Sequence, residues 1–254
     1  MKKLLIVVSL IIIINGAKAQ KTADVGIWGG TGTSFGDMTQ PNLGRSLGFN
    51  YGAFLRYNFN PRVSARLQLI NGSIKGEGVF DSHDWTFGPK NVSSLSLMAE
   101  INFFRYYLGE KQTPFTTYLL GGIGAGMYPY KLEGNVGEGL KGRLEDVVYY
   151  NVDNVPDDIN GVFAFHIPFG FGVKFNLGEK VGVGLELIVN RYFDDKLDDL
   201  DDPRKYETID FNGSPVWISY NDEWHNNDYT AYLGLHLTYK INLSKKACPV
   251  YEYE

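Results

Sequence analysis

Phe163-Ala164-Phe165-His166-Ile167-Pro168-Phe169-Gly170-Phe171-Gly172-Val173-Lys174-Phe175 decides the fold of this chain. Every second side chain is large and apolar, while the positions between them carry Ala, His, Pro, Gly, Gly and Lys. A period of two places successive side chains on opposite faces of a strand. The same rhythm runs through Phe49–Tyr57, Val63–Leu69, Leu95–Phe103, Val181–Asn190 and Leu233–Ile241, and weaker, glycine-rich versions through Asp24–Thr31 and Phe115–Tyr128. Eight strands are therefore predicted, in an all-β chain.

One face of these strands stays apolar for roughly ten residues, the length a tilted strand needs to cross hydrocarbon. Alternation alone leaves two closed architectures open. A soluble, lipocalin-like barrel points its apolar face inward around a ligand, and a transmembrane barrel points it outward at lipid. The polar face here is rich in glycine, which weakens a strand unless close approach requires it, and so suits a narrow lumen better than a wall facing water. With Tyr 17 and Phe 16 in the composition and the export signal described next, the balance falls on an eight-stranded antiparallel transmembrane β-barrel with a filled lumen.

Met1-Lys2-Lys3 is a short basic start, Leu4 to Ile14 is an apolar run broken only by Ser9, and Ala17-Lys18-Ala19 ends it with small-x-small. That is the pattern of a secretory signal peptide over residues 1–19, cut between Ala19 and Gln20. Gln20 in place of a cysteine argues against the bacterial lipoprotein route. Cleavage removes Lys2, Lys3 and Lys18, leaving 21 basic against 29 acidic side chains and a net charge of −8. No later apolar stretch is long enough for a transmembrane helix. The expected division is a signal peptide 1–19, a barrel 20–241 and a C-terminal tail 242–254.

Connection lengths alternate. Asn58–Arg62, Arg105–Thr113 and Asn176–Lys180 are short, whereas Gly36–Ser46, Gly76–Asn91, Pro129–Asn160 and Asp194–Asn227 are long. Short periplasmic turns alternating with long external loops are a habit of outer-membrane barrels, and they place both termini in the periplasm. Rings gather at both expected interfaces: Tyr57, Phe59, Phe103, Phe104, Tyr106, Tyr107, Phe115, Phe175 and Tyr239 on the short-turn side, Tyr128, Tyr130, Phe163, Tyr192 and Phe193 on the other.

Eight strands enclose a space that side chains fill, so a porin is excluded. The inward phase carries Arg56, Arg66, Glu100, His166, Lys174, Glu186, His236 and Lys240. Charges of both signs in a dry lumen must pair. Arg56, Arg66, Glu100, Lys174, Glu186 and Lys240 are therefore expected to form a structural salt-bridge plug. A sequence pI near 5.4 offers no basic footprint for nucleic acid. The lone Cys248 excludes a disulfide scaffold and any cysteine-based zinc site. Gly121–Gly126 has no helix pattern behind it to make a phosphate loop. His83, His166, His225 and His236 lack ligand spacing, and Asp81, Ser82, His83 and Asp84 are ordinary loop composition. No catalytic residue, cofactor or small-molecule substrate is expected. The acidic run Asp194–Asp202 could hold calcium through its carboxylates, but it lacks the spacing and glycine of an EF-hand loop and reads as a solvated external loop. Cys248, an odd cysteine in an oxidising compartment, suggests a disulfide to another chain.

An ordered set of segments resembles the PorG-like outer-membrane barrels associated with type IX secretion. It comprises Val25–Gly30 with Phe35-Gly36-Asp37, Tyr57–Arg62, Phe103-Phe104 with Thr113-Pro114-Phe115, Gly121–Gly124, Ile167–Lys174, Gly184-Leu185-Glu186 and Phe193–Asp199. The resemblance implies a non-enzymatic component of the secretion and gliding machinery, embedded among outer-membrane lipids and contacting a periplasmic ring of lipoprotein and partner subunits. The terminal Cys248-Pro249 also looks like the tail of that family. The Pro129–Asn160 and Pro203–Asn227 segments are more elaborate, as in a paralogue with another partner. Competing readings are a surface module whose long loops bind an external ligand or matrix, and an outer-membrane enzyme at the loop rim.

Overall fold

A computed structural model describes residues 22–35, 42, 44–80, 83–131, 135–136, 158–194, 196–198, 205–209, 215–219 and 227–243. The strands are β1 Thr22–Phe35, β2 Gly48–Asn58, β3 Val63–Phe80, β4 His83–Asn102, β5 Phe115–Lys131, β6 Asn135–Val136, β7 Asp158–Asn176, β8 Val181–Tyr192, β9 Lys205–Ile209, β10 Pro215–Ser219 and β11 Tyr229–Asn242. Eight of them pair antiparallel in the ring order β3-β2-β1-β11-β8-β7-β5-β4, and β3 pairs with β4 to close it. A closed ring leaves no free sheet edge along its wall. β6 adds to β4 above that ring, and β9 and β10 form a separate hairpin.

The alternation read from the sequence sets the two faces. On β7, Phe163, Phe165, Ile167, Phe169 and Phe171 point outward and are exposed, and Ala164, His166 and Lys174 are buried inside. Ile123 on β5 is 68% exposed, and Phe49 on β2 is 70% exposed. Such side chains exposed all round a closed wall form an apolar band that water would not stabilise. Hydrocarbon would. Arg56, Arg66, Glu100, Lys174 and Glu186, the residues that water would favour, are buried in the lumen. The wall is inside-out relative to a soluble barrel, which makes it a transmembrane one.

Three expectations need correcting. Gly76–Asn91 is not a long loop: β3 and β4 continue through it, pairing as far as Phe80↔His83. On β3 the outward residues leading into it, Asn71, Ser73 and Lys75, and Glu77 within it, are polar because the hairpin rises beyond the apolar band, and that hid the strand period. Of the second aromatic group, Tyr128, Tyr130 and Tyr192 turn inward and are buried, leaving Phe163 and Phe193 outside. Tyr106 likewise leaves the short-turn girdle for the barrel interior. The short connections Phe59–Arg62, Phe103–Pro114 and Leu177–Lys180 share one end of the barrel with Thr22 and Asn242, which pair across β1 and β11.

Candidate functional site

The lumen is built by strand phase. Arg56 on β2 and Arg66 on β3 are direct cross-strand neighbours, a like-charge pair that repels unless carboxylates come between. Glu100 on β4 does so. It accepts from Arg56 Nε at 2.9 Å, Arg66 Nη1 at 3.3 Å and Lys174 Nζ at 2.9 Å. Glu186 reaches across from β8 and takes Arg66 in a fork, Nη1 at 2.7 Å and Nη2 at 2.8 Å. Such bidentate guanidinium–carboxylate pairs are the strong, geometrically specific kind. Asp24 stands 3.6 Å from Arg56 Nη1 and accepts from Asn58 Nδ2 at 2.9 Å. Three cations thus face three carboxylates, and the network carries no net charge.

Rings complete the packing. The guanidinium of Arg66 lies 4.0 Å from the centroid of Phe54 and that of Arg56 4.9 Å. Lys174 sits 4.6 Å over Tyr118, whose hydroxyl donates to Glu186 at 2.5 Å. His236 stands edge-on to Phe54 and shares a hydrogen bond with Thr238 at 3.1 Å. Cation–π contacts in so dry a place add to the ion pairs and fix their orientation.

Space for these rings comes from glycines on neighbouring strands. A Cβ on Gly26 would stand 2.2 Å from the Phe54 ring, one on Gly234 2.2 Å from the Trp28 ring, and one on Gly184 2.3 Å from His236. The inward glycines are the sockets of the large inward side chains.

Among the described residues, buried side chains plug both mouths. At the short-turn end the β4–β5 connection folds back so that Tyr106 and Leu108 are buried in the barrel. Tyr106 N donates to the Pro61 carbonyl at 3.0 Å, and its ring lies 5.4 Å from Lys174 Nζ, directly under the network. Asn176 Nδ2 donates to the Glu110 carbonyl at 3.0 Å, tying the same connection to β7. At the opposite end Leu197 is fully buried, its N–H donating to Asp228 Oδ2 at 2.7 Å, and Lys90 Nζ donates to the Lys196 carbonyl at 3.4 Å. Tyr128, Tyr192, Tyr232 and Trp28 fill the level beneath.

The structure therefore brings together Arg56, Arg66, Glu100, Lys174 and Glu186. Lys240 does not join them. It is half-buried at the short-turn mouth, where Nζ donates to the Leu108 carbonyl at 2.8 Å. Asp24, Tyr118 and Phe54 belong to the network and were not singled out from the sequence, although each falls in the inward phase of its strand. Tyr106 and Leu108 lie in a turn, where no periodicity marks a buried residue. His166 meets Ser96 Oγ at 3.0 Å, but both side chains are buried in the lumen and among the described residues no carboxylate orients the ring, whereas a hydrolytic site needs a third member and access. Among the described residues no three His, Cys, Asp or Glu side chains converge as a metal site. Cys248, Asp81, Ser82, His225 and most of Asp194–Asp202 lie outside the described residues, as does the 1–19 segment.

A closed eight-stranded wall with an apolar outside and a paired-charge inside defines a small transmembrane β-barrel. The chain belongs to a family described as a domain of unknown function, DUF6089, whose model matches residues 2–250. No curated protein matches its sequence. Among solved structures it is similar to a major outer membrane protein from Thermus thermophilus, at 11% identity over 87% of this chain and 99% of that one, TM-score 0.44. It is also similar to Neisserial surface protein A, at 12% identity over 88% and 98%, TM-score 0.42. The N-terminal β-barrel domain of Pseudomonas aeruginosa OprF is similar at 12% identity over 87% and 98%, TM-score 0.41.

Proposed function

We propose that this protein is a non-enzymatic outer-membrane barrel that anchors and helps assemble a type IX secretion and gliding machine. It would meet periplasmic ring subunits, a lipoprotein among them, through its short turns and its C-terminal tail. The observation that carries the reading is a lumen filled by balanced charge and closed at both mouths. With the lumen filled by side chains among the described residues, the surfaces left for work are the two ends and the lipid-facing band. Thr22 and Asn242 share the short-turn end, so in a chain exported by a 1–19 signal peptide that end faces the periplasm and the long connections face outward. The link to this particular machine rests on the ordered resemblance of sequence segments.

Cys248 is the residue proposed to tether the tail to a periplasmic partner. Deleting Ala247–Glu254 is expected to leave a heat-modifiable barrel in the membrane and to abolish export of secreted cargo. A non-reducing gel of native membranes should show a larger species that Cys248→Ser removes. Normal cargo export by the truncated chain would refute the assembly role. One feature favours a second reading, a surface-binding module: the β9–β10 hairpin stands as its own small sheet within the longest connection. On that reading the truncation leaves export intact, and deleting residues 205–219 abolishes adhesion.

A further inference from the structure

The charges outside the lumen are sorted by end. At the short-turn end Arg62, Arg105, Lys111 and Lys180 are exposed, and among the described residues Glu179 alone is an exposed carboxylate there. Two of the long connections are acidic: residues 132–157 carry six Asp and Glu against two Lys and Arg, and residues 193–228 eleven against three. The whole chain has a net charge of −5, so a basic rim is a local feature set against the composition. The cations are also spread around the ring. Arg62 lies in the β2–β3 turn, Arg105 and Lys111 in the β4–β5 connection and Lys180 in the β7–β8 turn. Exposed apolar side chains accompany them: Phe59 beside Arg62, Phe103 and Phe104 beside Arg105, and Leu177 beside Lys180.

We infer that this collar binds the phosphates of anionic phospholipid headgroups in the leaflet that the short turns face. A docked protein is met by a patch on one side, whereas a lipid surface meets the barrel all the way round. Cations just beyond an apolar-aromatic girdle stand at headgroup depth, and basic residues at an anionic surface are drawn to it by an attraction that salt screens. The inference rests on the reading that the chain spans a membrane with this end at one leaflet.

The full chain is refolded first into pure phosphatidylcholine vesicles, then into phosphatidylcholine with phosphatidylglycerol as the minor lipid. Electron spin resonance of spin-labelled lipids then reads the relative affinity of each lipid for the protein. Phosphatidylglycerol should be preferred about fivefold, the equivalent of ~1 kcal/mol for one basic residue at an anionic surface. The preference should fall as salt rises. It should drop to near unity in the variant with Arg62→Gln, Arg105→Gln, Lys111→Gln and Lys180→Gln, and persist with Arg45→Gln and Lys75→Gln at the other end. Equal affinity for both lipids in the unsubstituted chain, or a preference unchanged in the fourfold variant, overturns the inference. So does binding of an acidic periplasmic protein through these four cations by an unsubstituted chain that shows no lipid preference. Failure to insert into pure phosphatidylcholine is a different result, because it removes the membrane reading itself.

Discussion

Glu100 holds Arg56, Arg66 and Lys174 at once, and its burial makes it the residue whose loss leaves most behind. Glu100→Gln keeps the shape and removes the charge, stranding cations that no water reaches. Breaking a buried ion network from one side costs about 3–5 kcal/mol, and that loss is expected in urea unfolding of the protein in lipid vesicles. Lys240→Gln should cost less than about 1 kcal/mol, since its partner is a carbonyl at a half-buried site. Adding Lys174→Met to Glu100→Gln should recover part of the loss, because one stranded cation is gone. Equal costs for Glu100→Gln and Lys240→Gln would show that the network is not what stabilises the lumen. Most of these residues were legible in the sequence, because strand phase alone sends Arg56, Glu100 and Glu186 inward. Phase does not say which inward charge finds a partner, and Lys240, although directly across from Asp24, donates instead to the Leu108 carbonyl of the folded-back connection.

At the scale of the strands, the inward glycines fit the rings that lie over them. Gly234→Ala would bring a Cβ to 2.2 Å from the Trp28 ring, and overpacking of that kind typically costs about 1–3 kcal/mol. Gly29→Ala, on the neighbouring strand but facing outward, meets nothing within 4 Å and should be neutral in the same unfolding measurement. If both substitutions were equally harmful, backbone freedom rather than ring sockets would explain the glycines. Six of the eight wall strands read clearly from period two because one face is apolar over the span of the band, whereas β1 and β5 carry the rhythm more weakly, with Gly29, Thr31, Thr117 and Gly121 on that face. Above the band that contrast disappears. Asn71, Ser73, Lys75 and Glu77 face outward, and on the inward face glycines (Gly72, Gly76 and Gly78) separate the buried Ile70 and Ile74, which is why the β3–β4 hairpin resembles a loop in sequence. Tyr128, Tyr130 and Tyr192 escape a sequence reading for a related reason: a tyrosine suits either an interface or a packed interior, so its identity does not reveal its face.

For the whole molecule, closure at both mouths predicts an electrically silent barrel. In planar bilayers the purified protein should insert without step conductance at neutral pH, and discrete openings would mean that the Tyr106 and Leu197 closures do not hold. The central claim is that the wall is inside-out, apolar toward lipid and charged toward the lumen. It is tested most directly in a Cys248→Ser background, by placing a spin label at successive positions of the segment 163–171 on β7 in lipid vesicles and measuring collisions with oxygen and with a polar nickel chelate. Labels at Phe165, Ile167 and Phe169 should favour oxygen, which concentrates in hydrocarbon, whereas labels at Ala164, His166 and Gly170 should be shielded from both, giving a period of two. Free access of the nickel chelate to Phe165, Ile167 and Phe169 would place that face in water and contradict the account.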